Sequence, residues 1–180
     1  MPKVLDIRIL GDDILRKKLK EVDHEDPLLK EFIPDLVHTM YVRDGVGLAA
    51  NQVGVDMRVV VIDPRTAEEE QERNPIVMLN PKIIESEGKQ IGEEGCISLP
   101  HIFAQVVRDK RIVYEYTDLN GERITKEVEG YEAVIVQHEL DHLDGVVFTD
   151  RLPPLNKLKL KTKLSEMKAT AVDGVNIRQD

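Results

Sequence analysis

The sequence predicts a domain of mixed helix and strand, and three observations carry that prediction. The first is a run of short apolar and β-branched segments between residues 76 and 128, closed by an Asn120-Gly121 hairpin signal. The second is a helical repeat ahead of that run, formed by Leu29, Phe32, Ile33, Leu36, Val37 and Met40. The third is the segment from Tyr131 to Gly145, which is apolar on several sides of a helix, as a buried helix is. A chain of 180 residues suits one domain with a sizeable core. The expected division is a core over residues 1–150, a basic C-terminal helix over 151–172 and a loose tail over 173–180.

Taken in order, residues 1–22 read as an extended start with a short helical turn around Gly11-Asp12-Asp13. Asp26 is a candidate N-cap with Pro27 at the first helical position, and that helix should run to about Arg43, ahead of Gly45. Gly45-Val46-Gly47-Leu48-Ala49-Ala50-Asn51-Gln52 is a loop of small residues. It matches a G-x-G-x-x-G/A dinucleotide fingerprint, but that fingerprint needs a strand before it and a helix after it. Here a helix precedes and the strand Arg58–Ile62 follows, so close approach of main chain to a ligand is the better account. Residues 64–75 form a loop whose acidic run Glu68-Glu69-Glu70 is read as solvated. Strands are expected at 76–79, 82–87, 104–108, 111–117 and 123–128. Val134-Ile135-Val136 has strand propensity, yet Tyr131, Val134, Ile135, His138 and His142 share one helical face, and Gly145 supplies a stop. After Pro153-Pro154, Leu160, Leu164, Met167 and Ala171 form one helical stripe.

The net charge of −9 argues against general nucleic-acid binding, because phosphate recognition wants a basic surface. The sign is uneven, and the Lys-rich stretch from Arg151 to Thr170 is either a docking face or a solvated one. No apolar run approaches a membrane span and the start lacks a secretory signal, so the cytoplasm is the expected compartment. Cys96, the lone cysteine, leaves no intramolecular disulfide to form and fits a reducing compartment.

The chemistry centres on His138-Glu139-Leu140-Asp141-His142, an H-E-x-x-H. Positions four apart lie on one helical face, so His138 and His142 can hold one metal ion, with Glu139 beside it to accept a proton from bound water. A third ligand is needed. The zinc-protease pattern H-E-x-x-H-x-x-G-x-x-H is met through Gly145, but its last ligand position is Phe148. The other usual choice, a downstream Glu, finds only Glu166 in the Lys-rich stretch. Cys96 is therefore the best candidate, since thiolate and imidazole together suit Zn²⁺ or Fe²⁺. His24 and His38 read as fillers, and His101 as a loop residue bordering the site.

Three blocks, Gly45–Gln52, Glu94-Gly95-Cys96-Ile97-Ser98 and Gln137–His142, in this order and spacing, resemble the signature motifs of the bacterial-type peptide deformylases. The resemblance implies an α+β fold in which antiparallel sheets wrap a central helix carrying H-E-x-x-H. It implies removal of the formyl group from N-formylmethionine of nascent proteins, releasing formate: a metal-bound water attacks the formyl carbon and Glu139 is the general acid/base. It assigns Cys96, His138 and His142 to the metal, Fe²⁺ with Zn²⁺ or Ni²⁺ as replacements. Gln52 through its amide and Ile97 through its N–H would bind the formyl oxygen. Val46, with Gly47 beside it, and Tyr131, Val134 and Ile135 would line the methionine pocket. The basic C-terminal helix is similar to that of the branch that docks on ribosomes. Many relatives also carry an Arg several residues after the cysteine, where this chain reads His101-Ile102-Phe103. Peptide-bond cleavage by a small metallopeptidase is the alternative, and a structural metal site in a ribosome-binding protein a third reading.

Overall fold

Helix α1 (Leu29–Val42) begins two residues later than the spacing suggested, and its N-cap is Leu28 rather than Asp26; the Asp26 side chain accepts from the Leu28 N–H at 2.9 Å in the turn that leads into the helix. The protein is described by a computed structural model over residues 1–64 and 72–180; the acidic run at Glu68-Glu69-Glu70 lies outside the described residues. The early helical turn is a 3₁₀ helix at Asp13–Arg16, capped by the Asp12 side chain.

Among the described residues, five strands form one antiparallel sheet in chain order. They are β1 (Gly47–Ala49), β2 (Val59–Ile62), β3 (Ile76–Cys96), β4 (Leu99–Thr117) and β5 (Arg123–Glu129). The short strands expected at 76–79 and 82–87 are parts of β3, and those at 104–108 and 111–117 are parts of β4. Asn80-Pro81 makes a bulge rather than a break. The register shifts between Leu79 and Lys82, Asn80 turns to φ 51°, and its side chain bonds both main-chain groups of Val22. A second shift between Ile83 and Glu85 bends the strand further. Residues 88–96 lack an alternating pattern, but main-chain pairing with their partners in 99–109 holds them extended.

Helix α2 (Tyr131–Leu143) lies against one face of this sheet. Ala133, Ile135, Val136, Leu140 and Leu143 pack with Val60, Ile62, Met78, Ile112 and Tyr114. Helix α1 covers the opposite face through Ile33, Leu36 and Met40, packed with Leu48, Val59, Val61 and Leu79. The unbroken Val-Val-Val-Ile of β2 follows from this, since both of its faces are buried. The central helix wrapped by antiparallel strands is as expected.

Helix α3 (Pro154–Ala169) seats Leu160, Leu164 and Met167 against a third cluster with Leu10, Leu99 and Phe148. Its lysines and Leu155 and Leu158 face outward. No described helix is long and apolar enough to cross a membrane. The tail beyond Asp173 is not loose. Ile177 bridges to Arg8, the Arg178 N–H donates to the Ile7 carbonyl at 2.7 Å, and Asn176 is buried. The polar composition of 173–180 hid this, because its bonds go to main chain some 170 residues upstream.

Candidate metal centre

Helix α2 carries two of the three groups and is pinned at its middle and at its C-terminal end. At its midpoint the Gln137 amide reads the main chain of Asp109 in β4 twice, donating to the carbonyl and accepting from the N–H, each at 2.9 Å. At its end the carbonyls of His142, Leu143 and Gly145 accept from Asn51, Arg58 and Arg16 in turn. These donors suit the negative end of a helix. Gly145 turns the chain away with φ 74°, where a Cβ would meet the Arg16 carbonyl carbon and oxygen at 2.6 and 2.5 Å.

Cys96 closes the site from the end of β3. Its sulfur lies 3.4 Å from His142 Nε2, and the ligand atoms of Cys96, His138 and His142 all fall within 4.8 Å of one another. Sulfur and nitrogen bound tetrahedrally at about 2.3 and 2.1 Å sit roughly 3.6 Å apart, so the spacing fits one ion. The electrostatics fit as well. His142 is wholly buried, and burial together with the charges of His138 and Arg108 keeps its pKa well below the usual value, so it is neutral and able to ligate. Burial also pulls His138 down, but hydrogen bonds to Cys96 and Glu94 overcome this and raise it: the pocket attracts positive charge, whether a proton or a metal.

Glu94 is the residue that orients His138. Its Oε1 lies 2.8 Å from His138 Nδ1, which leaves Nε2 for the metal side. Burial alone would push Glu94 up, but Arg108 and His138 hold it down at about 2. Arg108 clamps Glu94 with two bonds of 2.8 and 2.9 Å and reaches Asp141 at 2.6 Å; Arg151 holds Asp141 from outside at 2.7 Å. Neither Glu94 nor Arg108 stood out in the sequence. The available signal was parity: Arg108 falls on the same inward face of β4 as Ile102, Ala104 and Val106.

The centre opens on a cleft of about 510 Å³. Val46, Gly47, Gln52, Cys96, Ile97, Tyr131, Val134, Ile135, His138 and Glu139 all line it, while His142 lies beneath. His101 also lines it, and the ring of Phe103 lies across Gly95, leaving no room for a Cβ there. Gln52 is fixed by its oxygen, which accepts from the Ala49 N–H at 2.9 Å, so its amino group points to Cys96 and Ser98. Burial raises the Glu139 carboxyl to about 7, against the opposing charge of His138. A Cβ on Gly47 would lie 2.5 Å from Glu139 Oε2, so only glycine lets the chain pass so close. Phe148, where a protease of this pattern would place its third histidine, stacks on His138 at 6.0 Å between ring centres.

Known proteins agree with this arrangement. The family described as polypeptide deformylase matches residues 4–158. The peptide deformylase of Thermotoga maritima is 42% identical over 165 residues, covering 91% of this chain and 96% of that protein. That of Alkalilimnicola ehrlichii is 42% identical over 164 residues, covering 91% and 90%. Among solved structures, the Thermus thermophilus peptide deformylase superposes with a TM-score of 0.83 at 37% identity, covering 94% of this chain and 100% of that one. The Synechococcus elongatus peptide deformylase, solved in complex with actinonin, gives 0.83 at 38% identity, covering 98% and 94%. Motifs, fold and likeness over nearly the full length thus converge, and the chain belongs to the polypeptide deformylase family.

Proposed function

We propose that this cleft receives the formyl-methionyl end of a new polypeptide, with Gln52 and the Ile97 N–H on the formyl oxygen and Glu139 moving the proton. The protein is a metal-dependent hydrolase that removes N-terminal formyl groups. The observation that carries the reading is the convergence of Cys96, His138 and His142 beside a buried, partly unpartnered carboxylate, in one cleft with the Gln52 amino group. The proposed ion is Fe²⁺, with Zn²⁺ or Ni²⁺ able to replace it. When bound, such an ion polarises a carbonyl oxygen and brings the pKa of a water in its open position down towards ~7.

The residues supply the rest. Glu139 takes a proton from the attacking water and hands it to the departing amine, a dual role that a pKa near neutrality suits. As the formyl carbon becomes tetrahedral, its oxygen gains charge, and the Gln52 Nε2–H and Ile97 N–H donate to it. Val46, Tyr131, Val134 and Ile135 form the apolar wall for the methionine side chain. Gly47 contributes closeness, bringing main chain beside Glu139. Strand β1 is an edge of the sheet, so a peptide can lie along it.

Metal analysis beside a formate-release assay tests the reading. Formyl-Met-Ala-Ser should release formate in proportion to bound metal, and the N-acetylated peptide should be spared. Cleavage of internal peptide bonds without formate release would favour the metallopeptidase instead.

Residues 1–180 are proposed to act as one catalytic domain in the cytoplasm. Helix α3 is proposed to dock on the ribosome through its lysines, with Lys157, Lys161 and Lys168 on one face and Lys159 and Lys163 on the other, a basic helix on an otherwise acidic chain. Charge reversal at Lys157, Lys161 and Lys168 should weaken co-sedimentation with ribosomes and leave formate release intact; unchanged co-sedimentation would dispose of the docking role.

A further inference from the structure

The tail supplies a group that the chemistry above does not use. We propose that Arg178 is a positioning residue: it holds the turn between β3 and β4 so that the Ile97 N–H faces the formyl oxygen. This rests on the reading of that N–H as a donor.

The turn is two residues long, Ile97-Ser98, between paired Cys96 and Leu99. It carries a metal ligand at one end and the proposed donor next to it, so a small rotation of its peptide groups misaims both. Its carbonyls are held from outside the hairpin. The Ser98 carbonyl accepts from the Leu10 N–H at 3.0 Å, and the Ile97 carbonyl accepts from Arg178 Nη1 at 3.0 Å. Arg178 can do this because it is itself fixed. Its side chain is 20% exposed and lines the cleft, and its Nε donates to Asp180 Oδ1 at 2.7 Å. The backbone beneath runs along residues 7–10: the Arg178 N–H donates to the Ile7 carbonyl and the Ile9 N–H to the Asn176 carbonyl, at 2.7 and 2.8 Å. The Asn176 amide adds bonds to the carbonyls of Leu10 and Met167. Residues 7–10 therefore grip the Ser98 carbonyl directly and the Ile97 carbonyl through the tail. Without the guanidinium, the Ile97 carbonyl loses this hydrogen-bond donor and the turn its second anchor.

The test compares Arg178→Ala, Arg178→Lys and an amide-to-ester replacement that removes the Ile97 N–H, each in metal-loaded enzyme with formyl-Met-Ala-Ser. Removing the donor outright should lower kcat about 100-fold or more. Misaiming it through Arg178→Ala should lower kcat about tenfold, with KM changed less than about twofold and metal content unchanged. Arg178→Lys, which keeps one donor for the same carbonyl, should recover most of that loss. In the zinc form, the Ile97 amide should exchange with solvent faster in Arg178→Ala than in the wild type. Adding Arg178→Ala to the ester should cost less than about twofold more, because the group being aimed is already gone. Where Arg178→Ala does not fold, Arg178→Met keeps the packing and is read in its place. An unchanged kcat in the Arg178 variants beside a crippled ester overturns the role of Arg178, and so does a rise in KM alone, which would put the guanidinium against the peptide. A harmless ester overturns the reading of Ile97 beneath it.

Discussion

Glu139→Gln is expected to lower turnover roughly 1,000-fold while the protein keeps its metal, a loss within the range that removal of a general acid/base produces. The amide has nearly the shape of the carboxylate, so the packing against Gly47 survives, but it can neither take a proton from water nor pass one to an amine. Glu139 is 4% exposed and its Oε1 has no hydrogen-bond partner among the described residues. That unpartnered burial costs the fold rather than supporting it, so the variant should melt at the wild-type temperature or above. Formate release, elemental analysis and a thermal melt on one sample check all three expectations. Near-normal turnover would remove Glu139 from the mechanism.

Arg108→Ala should damage the fold severely, costing on the order of 3–5 kcal/mol, because it leaves the buried charge of Glu94 without its guanidinium and Asp141 with Arg151 alone. Metal affinity should fall by roughly 10- to 100-fold in the same variant, since Glu94 then no longer holds His138 in place. Denaturant melts and competition with a chelator measure the two effects separately. The acid limb of stability follows from the same carboxylate. Glu94 sits at about 2 in the folded protein against an ordinary value of 4.5, so its contribution is complete above about pH 4.5 and disappears as pH falls towards 2. The stability gap between wild type and Glu94→Gln should accordingly be wide at pH 6 and close over that window. A gap that stays constant down to pH 2 would show that Glu94 is not held in its charged form.

The reach of the sequence can be judged residue by residue. His138 and His142 were legible because a four-residue spacing on a helix is a geometric statement in itself. Cys96 was legible by exclusion, since Phe148 cannot ligate. Glu94 and Arg108 were not, although both are as buried as the ligands, because their pairing is made by the register of a hairpin and separated by 14 residues. That hairpin was itself half hidden. Residues 88–96 carry three glycines and alternate poorly, and only the partner strand makes them extended. Helix α1 read well from its apolar spacing, although Asp26 and Pro27 set its start two residues early, whereas 173–180 read as loose because bonds to residues 7–12 leave no trace in composition.

Gly47 has a bearing on how this site can change over time. Its Cα lies so near Glu139 that any side chain would collide with the carboxylate, and a Cβ on Gly45 would lie 2.7 Å from Ile97. An inhibitor donating its hydrogen bonds to main-chain carbonyls at 45–47 would grip atoms that no codon change can delete. Escape from such a compound would have to come through the cleft side chains at Val46, Tyr131 or Val134, the positions proposed above for the methionine pocket. A population under selection would then trade resistance against its own rate of protein maturation.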